Sequence, residues 1–316
     1  MFPPEAAPDN SLLTFFHTRW LMATDLDRTC WRAIQIDHPA DWELSVASGF
    51  AQPGRCVWSD RAYQRLDVQW KQLTYTPNLS LLLDKFRQKQ DSRQTLTTLE
   101  PAPADWQGLI QWLAKGCIVH AGTFFKDHGL LVEAMIVWPA RRDSDLEQTI
   151  LESVRPIDLT GPHRPWKAMG MWLDMPSEYD MKSSSSTLGK VSWDFTANSP
   201  TVQNISVERI ALPGSWLDKP LRDWLTEQIP KNSQIARQDM ISFNNHRCER
   251  IISRPRKGPF TWLGTSKSAR LDVAWLCEKQ SRVYRVTMNH RWTGEEPLLP
   301  PNVRIHCCWQ SPAVVG

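Results

Sequence analysis

The sequence predicts an α+β protein of two tandem related domains, each a curved antiparallel sheet packed with helices. Three observations predict it. Many stretches alternate apolar and polar residues, as half-buried strands do. Others place apolar residues three and four apart, as amphipathic helices do. The same landmarks also recur in the same order in both halves of the 316 residues, a length that accommodates two cores. The expected domains span 16–157 and 166–316. They are joined by the Gly- and Pro-rich linker 158–165 and preceded by a flexible tail, 1–15.

In the first half, Ile34 and Ile36 alternate with Gln35 and Asp37, and His38-Pro39 ends that strand. Trp42, Leu44 and Val46 alternate next, and Gly49 to Gly54 is a turn. Cys56–Trp58 and Arg65–Trp70 read as two more strands. Asn78 is placed to cap a helix from Leu79 to Gln88, with Leu79, Leu82, Leu83 and Phe86 on one face. Trp106–Lys115 reads as a second short helix, ended by Gly116. Cys117–Phe125 and Leu130–Trp138 form a hairpin around Asp127-His128-Gly129. Ser144-Asp145-Leu146-Glu147 is a capping-box pattern and opens a helix that Pro156 stops.

The second half repeats the scheme. Pro39 followed by Trp42 corresponds to Pro176 followed by Tyr179, and Gly54 followed by Trp58 to Gly189 followed by Trp193. The helix around Leu83 to Phe86 corresponds to one over Leu217–Ile229, and Leu131–Ala134 to Leu271–Ala274. Ser183–Ser186 is expected to be a flexible loop, and Val303–Trp309 a final short strand. Between His246 and Leu271 lies a longer, basic segment where the first half has a short hairpin.

The strand-Pro-x-x-aromatic opening (Ile34 to Trp42; Met171 to Tyr179), the Gly-then-aromatic strand and the helices at Leu79–Gln88 and Leu217–Ile229 resemble the PsbP-like superfamily. That group includes DcrB-like domains and the Eag chaperones of type VI secretion. The resemblance implies a fold shared by both halves and a bias toward binding proteins, adaptors and chaperones.

Composition narrows function by exclusion. The formal charge of +3 gives no whole-protein case for nucleic acid or anionic membrane. The 17 Trp read as core residues, with a hydrophobic docking face as the alternative. Seven irregularly spaced Cys are not a disulfide framework. The N-terminus lacks the pattern of a secretory signal and no apolar run spans a bilayer, so a cytoplasmic location is expected.

There is no GxGxxG, phosphate loop, HExxH or GxSxG, so no catalytic step and no cofactor are expected. Cys117 and His120 sit on opposite faces of a strand. In His306-Cys307-Cys308, adjacent residues of an extended strand diverge and no CxxC completes a tetrahedral set, so no metal site is expected. Cys248 and His246 are the local pair that suits a Cys/His hydrolase, kept as an alternative function. Arg254, Arg256, Lys257, Phe260 and Trp262, in the basic loop 247–262, are the expected contact residues. They suit an acidic protein partner or, alternatively, phosphates and stacked bases of nucleic acid. The expected function is therefore non-enzymatic protein binding by an adaptor, scaffold or chaperone-like module.

Overall fold

The computed structural model describes residues 25–48, 52–89, 95–197, 204–243, 245–256, 268–291 and 302–308. The expected tail, together with Lys257, Phe260 and Trp262, lies outside them. The first half contributes β1 (Leu26–Trp31), β2 (Ile34–Pro39), β3 (Glu43–Ala47), β4 (Gly54–Ser59), β5 (Gln64–Gln72), α1 (Leu79–Lys89), β6 (Thr95–Thr98), β7 (Gln107–Trp112), β8 (Cys117–Phe125), β9 (Leu130–Trp138), α2 (Ser144–Ser153) and β10 (Arg155–Pro156). The second contributes β11 (His163–Ala168), β12 (Met171–Pro176), β13 (Tyr179–Thr187), β14 (Lys190–Ala197), β15 (Asn204–Ala211), α3 (Pro213–Trp216), α4 (Leu221–Glu227), β16 (Ser233–Phe243), β17 (His246–Pro255), β18 (Ser268–Cys277), β19 (Arg282–Arg291) and β20 (Arg304–Ile305).

These strands form three antiparallel sheets, and the α+β expectation is corrected by them. A first-half sheet has the order β3-β4-β5-β9-β8-β7-β6, and a second-half sheet the order β13-β14-β15-β19-β18-β17-β16. The third, shared sheet runs β10-β2-β1-β11-β12-β20, so each half supplies three of its strands. The halves meet at β1 and β11, where Cys30 lies opposite Lys167. The helices are short, and α1 buries none of its residues. The sheets cover one another instead: a hydrophobic cluster runs through all three.

Tryptophan builds that cluster. Trp31 of the shared sheet meets Trp166 edge-on at 5.7 Å and Trp193 of the second-half sheet at 5.6 Å. His38 of the shared sheet lies against Trp58 of the first-half sheet. All five rings are buried, each Trp adding a large apolar area to the core. Gly54 shows how closely the sheet packs. It faces Trp70 across β4 and β5, and a Cβ there would fall 2.0 Å from the indole.

Several local expectations change for identifiable reasons. The expected helix Trp106–Lys115 is strand β7, in which Gly108 to Gln111 are all buried. A run buried on both faces loses the two-residue alternation that marks a strand. The expected helix Leu217–Ile229 is shorter, α4 covering Leu221–Glu227 with Pro220 just before its first turn, and a separate single turn, α3, ends before it at Trp216. The serine run belongs to β13, where Ser183–Ser186 pair with β14 and short polar side chains suit a sheet edge.

The capping box is replaced by Asp143, whose carboxylate accepts from the Leu146 N–H at 3.0 Å. Glu147 turns inward, accepting from Trp138 and Arg142. Topology also corrects one pairing of landmarks. Leu131–Ala134 lies in β9, whose counterpart in the second-half order is β19, so it does not match Leu271–Ala274 of β18.

Among the described residues, no helix is long and apolar enough to cross a membrane.

Candidate functional site

Four metal-capable side chains converge where the second-half sheet meets the last strand. His246 opens β17, Cys277 closes the neighbouring β18, and Cys307 and Cys308 follow β20. Strand β20 pairs with β12, with Leu173 opposite Ile305, and the His306 N–H donates to the Trp172 carbonyl. The chain then bends, so Cys307 and Cys308 are not held in extended alternation and their sulfurs lie 3.8 Å apart. This bend defeats the strand argument that the sequence suggested.

His246 Nε2 lies 3.1 Å from Cys307 Sγ and 2.9 Å from Cys308 Sγ. Cys277 Sγ lies 3.1 Å from Cys308 Sγ. All four donor atoms fall within 4.8 Å of one another. Burial lowers the pKa of His246, which favours the neutral imidazole. Burial, and then its hydrogen bonds to Cys277 and Cys307, push the Cys308 thiol up to about 12. The cluster borders an open concavity of about 980 Å³, lined by Arg247, Glu278, Lys279 and Arg304 among others.

Two nearby groups stay out of the cluster. The Cys248 thiol is directed to the carbonyls of Phe243 and His246, and burial pushes it up to about 12. That is the reverse of what activates a cysteine nucleophile, and the His246 ring faces other thiols, so the pair expected for a hydrolase is not formed. His306 stacks on Trp172 at 4.3 Å and bonds Asp174 at 2.8 Å.

Of the expected contact residues, Arg254 is half-buried near the end of β17, opposite Gln234. Arg256 is exposed but tethered, its backbone N–H donating to Asn232 O and its Nε to Ser233 O. Cys117 is buried, while His120 faces the other side of β8, against Phe86 and Gln111.

A second feature separates the two halves. Helix α4 inserts Leu225 against Ile251 and Ala274. Helix α1 is capped as expected, Asn78 Oδ1 accepting from the Leu81 N–H at 3.0 Å. It nevertheless leaves a cleft of about 300 Å³ over the first-half sheet, lined by Leu82, Leu83, Phe86, Leu131 and Met135, with Glu133 among its polar groups. Leu81 and Leu82 are exposed.

No protein-family model and no curated protein matches this sequence. Among solved structures, the chain is similar to the immunity protein TplEi of the T6SS from Pseudomonas aeruginosa, in its apo form and complexed with "L" peptide. In both cases identity is 9%, the likeness covers 88% of this chain and 90% of that one, and the TM-score is 0.34. A score of that size transfers nothing from one protein to the other.

Sequence reasoning missed Cys277 and the partnership of His246 with Cys307 and Cys308. The available signal was density: Cys248, Cys277, Cys307 and Cys308 all fall within the last quarter of the chain.

Proposed function

We propose that the chain is a non-enzymatic protein-binding module, adaptor or chaperone-like in kind, that receives apolar side chains of a partner protein between α1 and the first-half sheet. The observation that carries this reading is α1 itself. It bears Leu79, Leu81, Leu82, Leu83 and Phe86, yet none is buried, whereas α4 seats Leu225 fully. An apolar helix face left open beside a cleft suits a segment that completes it. Each leucine covered by such a segment adds about 1.5–3 kcal/mol of gross burial.

The basic and aromatic stretch Arg254, Arg256, Lys257, Phe260 and Trp262 is the second proposed contact, for acidic groups of the same partner. The resemblance to the PsbP-like superfamily points the same way.

The test is affinity capture from native lysate with and without nuclease, followed by mass spectrometry. It uses the wild type, Leu82→Asp and the triple change Arg254→Ala, Arg256→Ala, Lys257→Ala. A stoichiometric protein that survives nuclease and is lost with Leu82→Asp supports the cleft. Retention by Leu82→Asp removes the cleft from the reading. Loss of everything after nuclease moves the function to nucleic acid.

A further inference from the structure

We propose that His246, Cys277, Cys307 and Cys308 form a zinc site that pins the C-terminal segment to the second-half sheet. Three thiols and one imidazole are a complete structural zinc set, which is tetrahedral and bound through N and S donors. With Zn–S near 2.3 Å and Zn–N near 2.0–2.1 Å, neighbouring donors of a tetrahedron lie roughly 3.4–3.8 Å apart. Four of the six donor separations are 2.9, 3.1, 3.1 and 3.8 Å and all six lie within 4.8 Å, so the set brackets that range. Soft thiolates with an imidazole select zinc over magnesium or calcium, which prefer oxygen.

The donors come from three stretches far apart in the chain, His246 and Cys308 being 62 residues apart. Such convergence is not a by-product of one strand's geometry. A disulfide between two of the sulfurs would leave the third thiol and the imidazole without a role, whereas one ion engages all four. Each thiol releases its proton to solvent as zinc binds. Four protein ligands fill the coordination shell, so the site is structural and leaves no position for a substrate. Its effect is mechanical: it ties the segment after β20, anchored in the shared sheet through β12, to the ends of β17 and β18.

The experiment uses the full chain, purified without a histidine tag or chelator. Metal is quantified by elemental analysis and native mass spectrometry, and cobalt(II) is then exchanged into the protein. About one zinc per chain is expected, and the cobalt form should show intense thiolate-to-metal charge transfer with the visible bands of a tetrahedral ion.

Cys277→Ser, Cys307→Ser, Cys308→Ser and His246→Ala should each lower zinc affinity by more than about 100-fold, beyond an outer-shell effect. Cys248→Ser and His306→Ala, whose side chains lie nearby but point elsewhere, should keep the metal. Three results would overturn the proposal. The first is a chain that takes up neither zinc nor cobalt. The second is a Cys277–Cys308 disulfide in non-reducing peptide maps of the protein as purified under reducing conditions, with no metal removed. The third is equal metal loss from Cys248→Ser and Cys308→Ser. The cobalt spectrum is read on the wild type, so a variant that fails to fold does not block the test.

Discussion

His38 shows how burial sets a protonation state. Its Nδ1 lies 2.9 Å from the Pro39 carbonyl, which only accepts, so Nδ1 carries the proton. Its Nε2 lies 2.9 Å from Thr29 Oγ1 and accepts from that hydroxyl. The ring is neutral in this arrangement, and desolvation lowers its pKa. Burial lowers that of His120 as well. As pH falls below about 6.5, the unfolded chain takes up protons that the folded chain resists, so stability declines. Urea unfolding should give a lower stability at pH 5 than at pH 7, with a smaller drop in His38→Gln. An equal drop in both proteins would exclude His38 as a contributor.

Asp272 is a buried acid held by ion pairs. It has no exposed side-chain surface and accepts from Arg270, Arg285 and Thr287. It belongs to a row of alternating charge, Lys190, Glu208, Arg285, Asp272 and Arg270, that crosses β14, β15, β19 and β18. Asp272→Ala removes the two shorter bonds of buried Arg285, leaving it the 3.4 Å contact with Glu208, and should cost about 3 kcal/mol in chemical denaturation. A cost under about 1 kcal/mol would mean that Arg285 reaches water or another partner.

At the scale of elements, α2 separates two ways of starting a helix. Asp143→Ala removes the side chain that caps it and should cost about 1 kcal/mol. Ser144→Ala should fall within about 0.5 kcal/mol, because Ser144 lies after the cap. The reverse order in urea titrations would restore the capping box. For α1, Leu82→Asp should leave stability nearly unchanged, since the side chain is already exposed, while weakening partner binding by at least about tenfold. A matching loss of stability would assign Leu82 to folding rather than recognition.

At the scale of the molecule, the core joins the halves. The shared sheet takes strands from both, and Trp31 of the first half packs against Trp166 and Trp193 of the second. Calorimetry should therefore show one cooperative unfolding transition, and Trp31→Ala should lower it as a unit, costing about 3–5 kcal/mol. Two separate transitions, only one of them moved by Trp31→Ala, would show that the halves are energetically independent.

Local features were legible in the residues alone. The alternation of Ile34 and Ile36, the helix and Asn78 cap of α1, the hairpin at Gly129 and the repeated order of Pro, aromatic and Gly landmarks all depend on residues close in the chain. Sequence alone misread β7, because burial on both faces erases the alternation. It misread the balance of helix and sheet, because what covers a sheet is not written in the strand. Only the tertiary structure brought His246, Cys277, Cys307 and Cys308 together. The pairing of β20 with β12 and the bend after it deliver two sulfurs to strand ends 30 or more residues away in sequence, and no spacing rule encodes that path.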